Sequence, residues 1–358
     1  LSVNISGSTS IYISELQAYQ KLDANGNPSH TGAKVFGGCL DHGIIMGYVS
    51  LNYHSDILGN YQLRPGETWE SLSKEWNSEV GYIYAAGKGE DTEILGATYI
   101  NIRGAVMNGQ KCIPNCLNVF GGGLAGRVIG RTNVSVDIQC KGASAKDAQD
   151  NAVWGKVYGG GRMGDVCMQS RLVPAYRSPR TAETHVRVYS GYIGEVFGGA
   201  RMANVENGTW VEINDRSHGH FHTMIKRVFG GSDLSGKIGS SPQIPKIRQD
   251  TIRTNTYVSI TEQQHEDGTY SGFPLIGSVF GGGNGEYGTQ GGNDRYSGGE
   301  VLGLDGMLQL SGLELPNIDS TWVEVTGGSI MELYGGANCS NVKRLSHIAI
   351  DYADSDSK

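Results

Sequence analysis

The sequence predicts an all-β chain wound as a single-stranded parallel β-helix. The expected solenoid has about eight or nine coils, a ~25-residue repeat, three short strands per coil and loop insertions. Three observations carry this prediction. The segment V-F-G-G and its variants recur with the aromatic at Phe36, Tyr84, Phe120, Tyr158, Phe197, Phe229, Phe280 and Tyr334. A T-x-V-x-I segment accompanies it, beginning at Gly47 (GYVSL), Thr98, Thr132, Thr184, Thr209, Thr256, Thr321 and Ser346. The least interrupted units, Thr184 to Thr209 and Thr321 to Ser346, both advance by 25 positions.

Each element has a physical reason. T-x-V-x-I places β-branched residues at alternate positions, so one side of the strand can be buried. The second strand ends in V-F/Y-G-G, where glycines are expected to supply positive φ at a tight corner. Its Phe or Tyr should stack on equivalents about 4.8 Å away in adjacent coils, contributing roughly 0.5–1.5 kcal/mol per pair. A third strand falls near Val128, Val166, Val205, Ile238 and Val342. Leucine-rich repeats share the period but need a Leu-x-x-Leu-x-Leu frame that this chain lacks. The calcium-binding nonapeptide needs an aspartate that VFGGGNGEYG does not contain.

Composition narrows the function classes. Of 358 residues, 55 are glycine, without a period of three, which fits tight corners in a repeat. A net charge of −7 argues against nucleic-acid or anionic-membrane partners. No run of 18 apolar residues spans a membrane. The chain starts at Leu1, so any upstream leader or anchor is expected to have been removed or to lie outside this sequence. Six cysteines in this length do not make a disulfide scaffold.

The glycine-rich VFGGG/VYGGG repeat resembles a class of β-helical surface and secreted proteins of Bacteroidetes-type bacteria, over nearly the whole chain. The resemblance implies a cell-surface or extracellular setting and an adhesive or glycan-related role. It brings no catalytic motif and no cofactor.

The whole chain, 1–358, reads as one domain, with insertions at 52–79, 104–117, 139–152, 167–182, 215–224, 240–253, 262–274 and 284–319. Coils stack in register, so equivalent insertions emerge along one edge, as functional loops or as shields. Residues 61–76 resemble the opening half of a LysM module without its second helix or closing strand, so a short covering helix is expected there. In SHGHFH, an extended backbone would set His218, His220 and His222 on one face, as a zinc or copper site requires. Cys112 and Cys116 suit a small disulfide loop, or else two thiolates of a metal site. Cys39, Cys140, Cys167 and Cys339 read as small buried packing residues.

The second letter of each T-x-V-x-I should face outward. It reads Tyr48, Tyr99, Asn133, His185, Trp210, Tyr257, Trp322 and His347. An exposed strand position has no folding need for so many aromatics, which suits a ligand or a protein contact. The competing reading is intramolecular, since cross-strand aromatic pairs stabilise a sheet by themselves and insertions folding back would bury the column. On the first reading, Tyr48, Tyr99, His185, Trp210, Tyr257 and Trp322 are the candidate ligand-binding residues. Sugar rings offer apolar C–H faces to aromatics, and flanking polar columns would pair with their hydroxyls. A secreted or surface binding protein, an adhesin for a polysaccharide or surface ligand, is the leading expectation. A carbohydrate-active enzyme is the alternative: Glu212 and Glu324 stand two coils apart, roughly 9.6 Å, near the spacing of an inverting hydrolase, with Arg187 adjacent. A structural stalk or fibre segment is the third reading.

Overall fold

A computed structural model describes residues 3–13, 21–22, 28–29, 33–54, 79–107, 110–112, 115–139, 155–216, 223–239, 255–262, 273–285 and 317–351. The regular structure of these residues is all strand, in three predominantly parallel sheets of solenoid-like arrangement and one antiparallel pair, Lys21–Leu22 with Pro28–Ser29. The threonine sheet contains Thr9–Ile13, Val49–His54, Thr98–Met107, Thr132–Gln139, Glu183–Ser190, Gly208–Asp215 and Thr256–Glu262. It ends with the later parts of Asn317–Val325 and Asn341–Ile350. The corner sheet runs from Ala33–Phe36 to Ser329–Tyr334, with one V-F/Y strand per repeat. The third sheet holds short strands from Val3–Ile5 to Val166–Cys167. Val205, Ile238, Ile318 and Val342 carry it on by parallel pairing. In every sheet the spatial order follows the chain order, so each repeat adds one strand to each sheet in turn.

The third-strand positions expected at Val128, Val166, Val205, Ile238 and Val342 all lie in that sheet. Ile318 joins them from within the segment read as insertion 284–319. The stretch 104–117 contains further strand: Ala105–Met107 pairs antiparallel with Gln110–Cys112. Residues 61–76, with their expected helix, lie outside the described residues, as do 140–154, 217–222, 240–254, 263–272 and 286–316.

Alternation decides what is buried. Val134, Val186, Val211 and Val258 of the threonine sheet meet Val119, Val157, Val196 and Val228 of the corner sheet in one core. The corner aromatics point to the other side and form a second, separate cluster. Their rings stack without a break from Phe36 to Tyr334, with centroids 4.6–4.9 Å apart and planes within 9°. In-register parallel pairing sets that spacing, and burial of the rings between the two ends, Tyr84 to Phe280, then sustains the stack.

The two sequence motifs turn out to be partners. Thr98, Thr132, Thr184, Thr209, Thr256 and Thr321 each donate Oγ1–H to the carbonyl of the first corner glycine in the same repeat, at 2.5–2.6 Å. Thr9 does so to Gly37 at 3.3 Å. These hydroxyls lie inside the core, where an unpaired polar group would be costly.

The corner glycines correct one expectation. Among the described residues, the glycines with positive φ are Gly43, Gly130, Gly191, Gly236, Gly285 and Gly328, and no V-F/Y-G-G glycine is among them. Backbone stacking explains the corner instead. Gly159 N–H donates to Phe197 O and Gly198 N–H to Phe229 O, so the ladder continues around the bend. A Cβ on Gly121, Gly159, Gly198, Gly230 or Gly281 would collide with the carbonyl oxygen of the glycine in the next coil.

The insertion at 167–182 folds back over the third sheet. Buried Glu93 accepts from Ser170 Oγ, from Arg171 N at 2.8 Å and from Leu172 N at 3.3 Å. It also pairs with Arg127 at 2.9 Å. Tyr176 OH donates to Leu95 O at 2.6 Å. Leu172, Val173 and Tyr176 thereby cover Ile44, Leu95, Ile129 and Cys167. This insertion shields apolar surface.

Two outcomes are expected. Thr184→Val leaves the buried Gly198 carbonyl without its donor and lowers unfolding free energy by about 1–3 kcal/mol, read as a lower denaturant midpoint; an unchanged midpoint contradicts the partnership. Glu93→Ala removes the acceptor that holds residues 170–172, and limited trypsin digestion then cuts after Arg171 or Arg177 faster than in the unsubstituted chain.

Candidate ligand-binding face

The outer side of the threonine sheet carries the candidate residues, and pairing fixes which of them align. Thr98 pairs with Val49 and Tyr99 with Ser50. Tyr48 therefore sits outside the column assigned to it, because GYVSL is displaced by two positions from TYINI. The preceding repeat, Thr9–Ile13, extends the column to Ser10 and brings Tyr12 beside Asn52. The true column reads Ser10, Ser50, Tyr99, Asn133, His185, Trp210, Tyr257, Trp322 and His347.

The middle of this column is not an open ladder. Trp210 is 9% exposed, Tyr257 7% and His185 9%, so these three follow the intramolecular reading of the column and not the open-face one. His185 stacks on Trp210 with centroids 5.7 Å apart, and Trp210 meets Tyr257 at 4.8 Å with a 54° tilt. Trp322 stacks on His347 at 3.8 Å and is half-buried. Alternation turned these rings away from the core, as expected, and intramolecular packing then covered three of them.

The carboxylates considered for hydrolysis are engaged. Glu212 accepts from Arg187 Nε at 2.7 Å, and Glu324 accepts from Tyr257 OH at 2.8 Å. Burial, then the hydrogen bond to Glu324 and its charge, push the Tyr257 phenol well above its usual value. Buried Glu183 takes Arg131 at 2.9 Å and His185 Nε2 at 3.5 Å. Burial opposes its ionisation, but hydrogen bonds from His185 and Thr181 and the Arg131 charge hold its carboxyl below the ordinary range. These contacts form a partnered polar frame around the central rings.

The accessible aromatics lie at the N-terminal end of the sheet. Tyr12 is 75% exposed and Tyr48 51%, and Tyr99 is half-buried. Tyr48 meets Tyr99 edge-on, with centroids 6.1 Å apart and planes at 84°. Beside them runs an amide chain: Asn101 Nδ2 donates to Asn52 Oδ1 at 2.9 Å, and Asn52 Nδ2 donates to Ser50 Oγ at 3.1 Å. Tyr12 escaped the sequence reading because TSIYI is cut from its corner strand by residues 14–32. The T-x-I-x-I pattern itself was the available signal.

The remaining candidates are placed as follows. His218, His220 and His222 lie outside the described residues; Thr223 donates to Asp215 through both N and Oγ1. Cys112 and Cys116 lie on strands of different sheets, and their side chains are outside the description. Cys167 is buried and Cys39 half-buried, both free thiols. Free Cys339 is exposed, against its expected burial, because it lies in the corner before the last strand. Among the described residues, no three His, Cys, Asp or Glu side chains are grouped to hold a metal ion.

Trp210→Ala is expected to cost about 3 kcal/mol through lost packing. Tyr48→Ala, at an exposed site, should stay within about 0.5 kcal/mol. Paired denaturation curves separate the two, and equal losses would contradict this division of the face. No family model, curated protein or solved structure matches this chain, so its functional reading rests on the geometry above.

Proposed function

We propose that the chain is a single-stranded parallel β-helix acting outside the cell or on a bacterial surface as a binding protein, an adhesin for a polysaccharide or similar surface ligand. The observations that carry this reading are the accessible Tyr48–Tyr99 pair and the exposed Tyr12 aligned with Asn52, beside the Asn101–Asn52–Ser50 chain. Aromatic faces suit the C–H faces of sugar rings, and amides and hydroxyls suit their polar rims. The buried members, His185, Trp210 and Tyr257, act here as the rigid floor next to that cluster. Trp322 serves the same face from the opposite end. A negative net charge directs the choice toward neutral or cationic glycans over polyanions.

The C-terminal face favours a second reading, a stalk or fibre segment. Leu345, Ile348 and Ile350 are exposed on the last strand, and Ile348 and Ile350 align with the core residues Val323 and Val325. The far edge of that strand pairs with no described strand, an arrangement that recruits further strands.

A glycan array probed with the full chain tests the first reading. Selective binding that Tyr12→Ala/Tyr48→Ala abolishes, with the melting temperature unchanged, supports it. Binding that survives the double substitution, or no binding to any glycan, rejects this face. Concentration-dependent association lost on Ile348→Lys would instead favour the stalk.

A further inference from the structure

A second cluster lies on the outer side of the corner sheet, away from the proposed binding face. Lys156, Glu195 and Arg227 occupy equivalent positions on three consecutive strands. Asp233 follows in the corner after the third of these strands and is 1% exposed. Lys156 Nζ lies 2.6 Å from Glu195 Oε2 and 3.4 Å from Asp233 Oδ2. Asp233 is gripped on both oxygens: Tyr158 OH donates to Oδ2 at 2.7 Å and Asn284 Nδ2 donates to Oδ1 at 2.9 Å. Its backbone N–H is tied to Ala200 O at 3.0 Å. The Phe197 ring stands beside the amine, with Nζ 5.6 Å from its centroid. Arg227 pairs with the other oxygen of Glu195.

We infer that this cluster is a self-modification site, in which Lys156 and Asp233 condense to an intramolecular isopeptide bond with Glu195 as proton carrier. The chemistry balances without any outside reactant. Nζ begins as an ammonium and Asp233 as a carboxylate. Nζ gives up two protons, one directly to Oδ2 and one through Glu195 to the same oxygen. The Nζ–Cγ bond forms, the Cγ–Oδ2 bond breaks, and Oδ2 leaves as water. Glu195 returns to its starting state, and the third Nζ hydrogen remains on the new amide.

Each neighbour has a part in that step. Asn284 Nδ2 holds the oxygen that bears the charge of the tetrahedral intermediate, the task of an oxyanion hole. Tyr158 OH bonds the departing oxygen. Arg227 pairs with Glu195 and holds it in place as the proton acceptor. Condensation replaces two charges with a neutral amide in a largely buried site, where charge is costly. Fixed intramolecular partners reach effective molarities on the order of 10⁵–10⁸ M, which offsets the tendency of amides to hydrolyse in water.

Before reaction the pair is ionic. Burial favours the neutral Asp233 acid, but the Lys156 charge, hydrogen bonds from Asn284 and Tyr158, and the Arg201 charge hold its carboxyl below the usual range. Burial lowers and the charges of Asp233 and Glu195 raise the Lys156 ammonium, with a net increase. Glu195, at 2.6 Å from Nζ, is the natural recipient of the first proton. The bond would join residues 77 apart and staple three consecutive coils.

Intact mass spectrometry of the purified full chain, unfolded after prolonged incubation in the folded state, tests this. The expected mass is lower than calculated by one water, with a tryptic map joining the peptides that contain Lys156 and Asp233. Lys156→Arg keeps the charge but cannot condense, and should show the full calculated mass. Glu195→Gln should accumulate the uncondensed mass. The unsubstituted chain decides the matter even if a variant does not fold. Its full calculated mass with both linear peptides, or a water loss mapped elsewhere, overturns the proposal.

Discussion

In seven repeats a threonine hydroxyl donates to the carbonyl of a corner glycine, and much of the remaining structure follows from that bond. It ties the threonine sheet to the corner sheet across the core. The glycine is needed for a second reason, since its backbone lies directly on that of the next coil and leaves no room for a Cβ. The exception is instructive. In the second repeat Val49 stands where threonine is usual, and the corner residue is Ala85. Donor and glycine are lost together, in the one repeat whose corner begins with a methyl-bearing residue.

Once backbones stack in register, side chains have little choice of neighbour. Eight rings come to lie at the coil spacing because their strands do. The same register brings Lys156, Glu195 and Arg227 into a row, where alternating charge replaces the apolar packing of the inner side. A parallel stack places like positions side by side, so a charged or aromatic residue is stabilised by what the next coil carries at the same letter. Glu93 shows the other route: a buried carboxylate partnered by Arg127 and by a loop from a distant repeat.

Much of the fold could be read from spacing. The alternation of Thr, Val and Ile identified the inward residues, and the third-strand positions matched at five valines and isoleucines. Reading failed where the repeat is broken or where letters mislead. GYVSL looks like TYINI, yet Val49 takes the threonine position, which moved Tyr48 out of its column. TSIYI and Ile318 went unnoticed because long segments separate them from their repeats. Positive φ was the ordinary reason for a corner glycine, and close approach proved to be the operative one.

The candidate face divides along the same line. By itself the sequence determined that Trp210, Tyr257 and Trp322 point away from the core, because a strand's period of two is a local property of the backbone. Whether an outward ring meets solvent depends on what stacks beside it, and His185, Trp210 and Tyr257 come from three different repeats. Only the tertiary structure decided that Trp210 and Tyr257 are covered while Tyr12 and Tyr48 stay accessible. It also brought Lys156, Glu195 and Asp233 within reach of one another, since three repeats must stack before those side chains share one site.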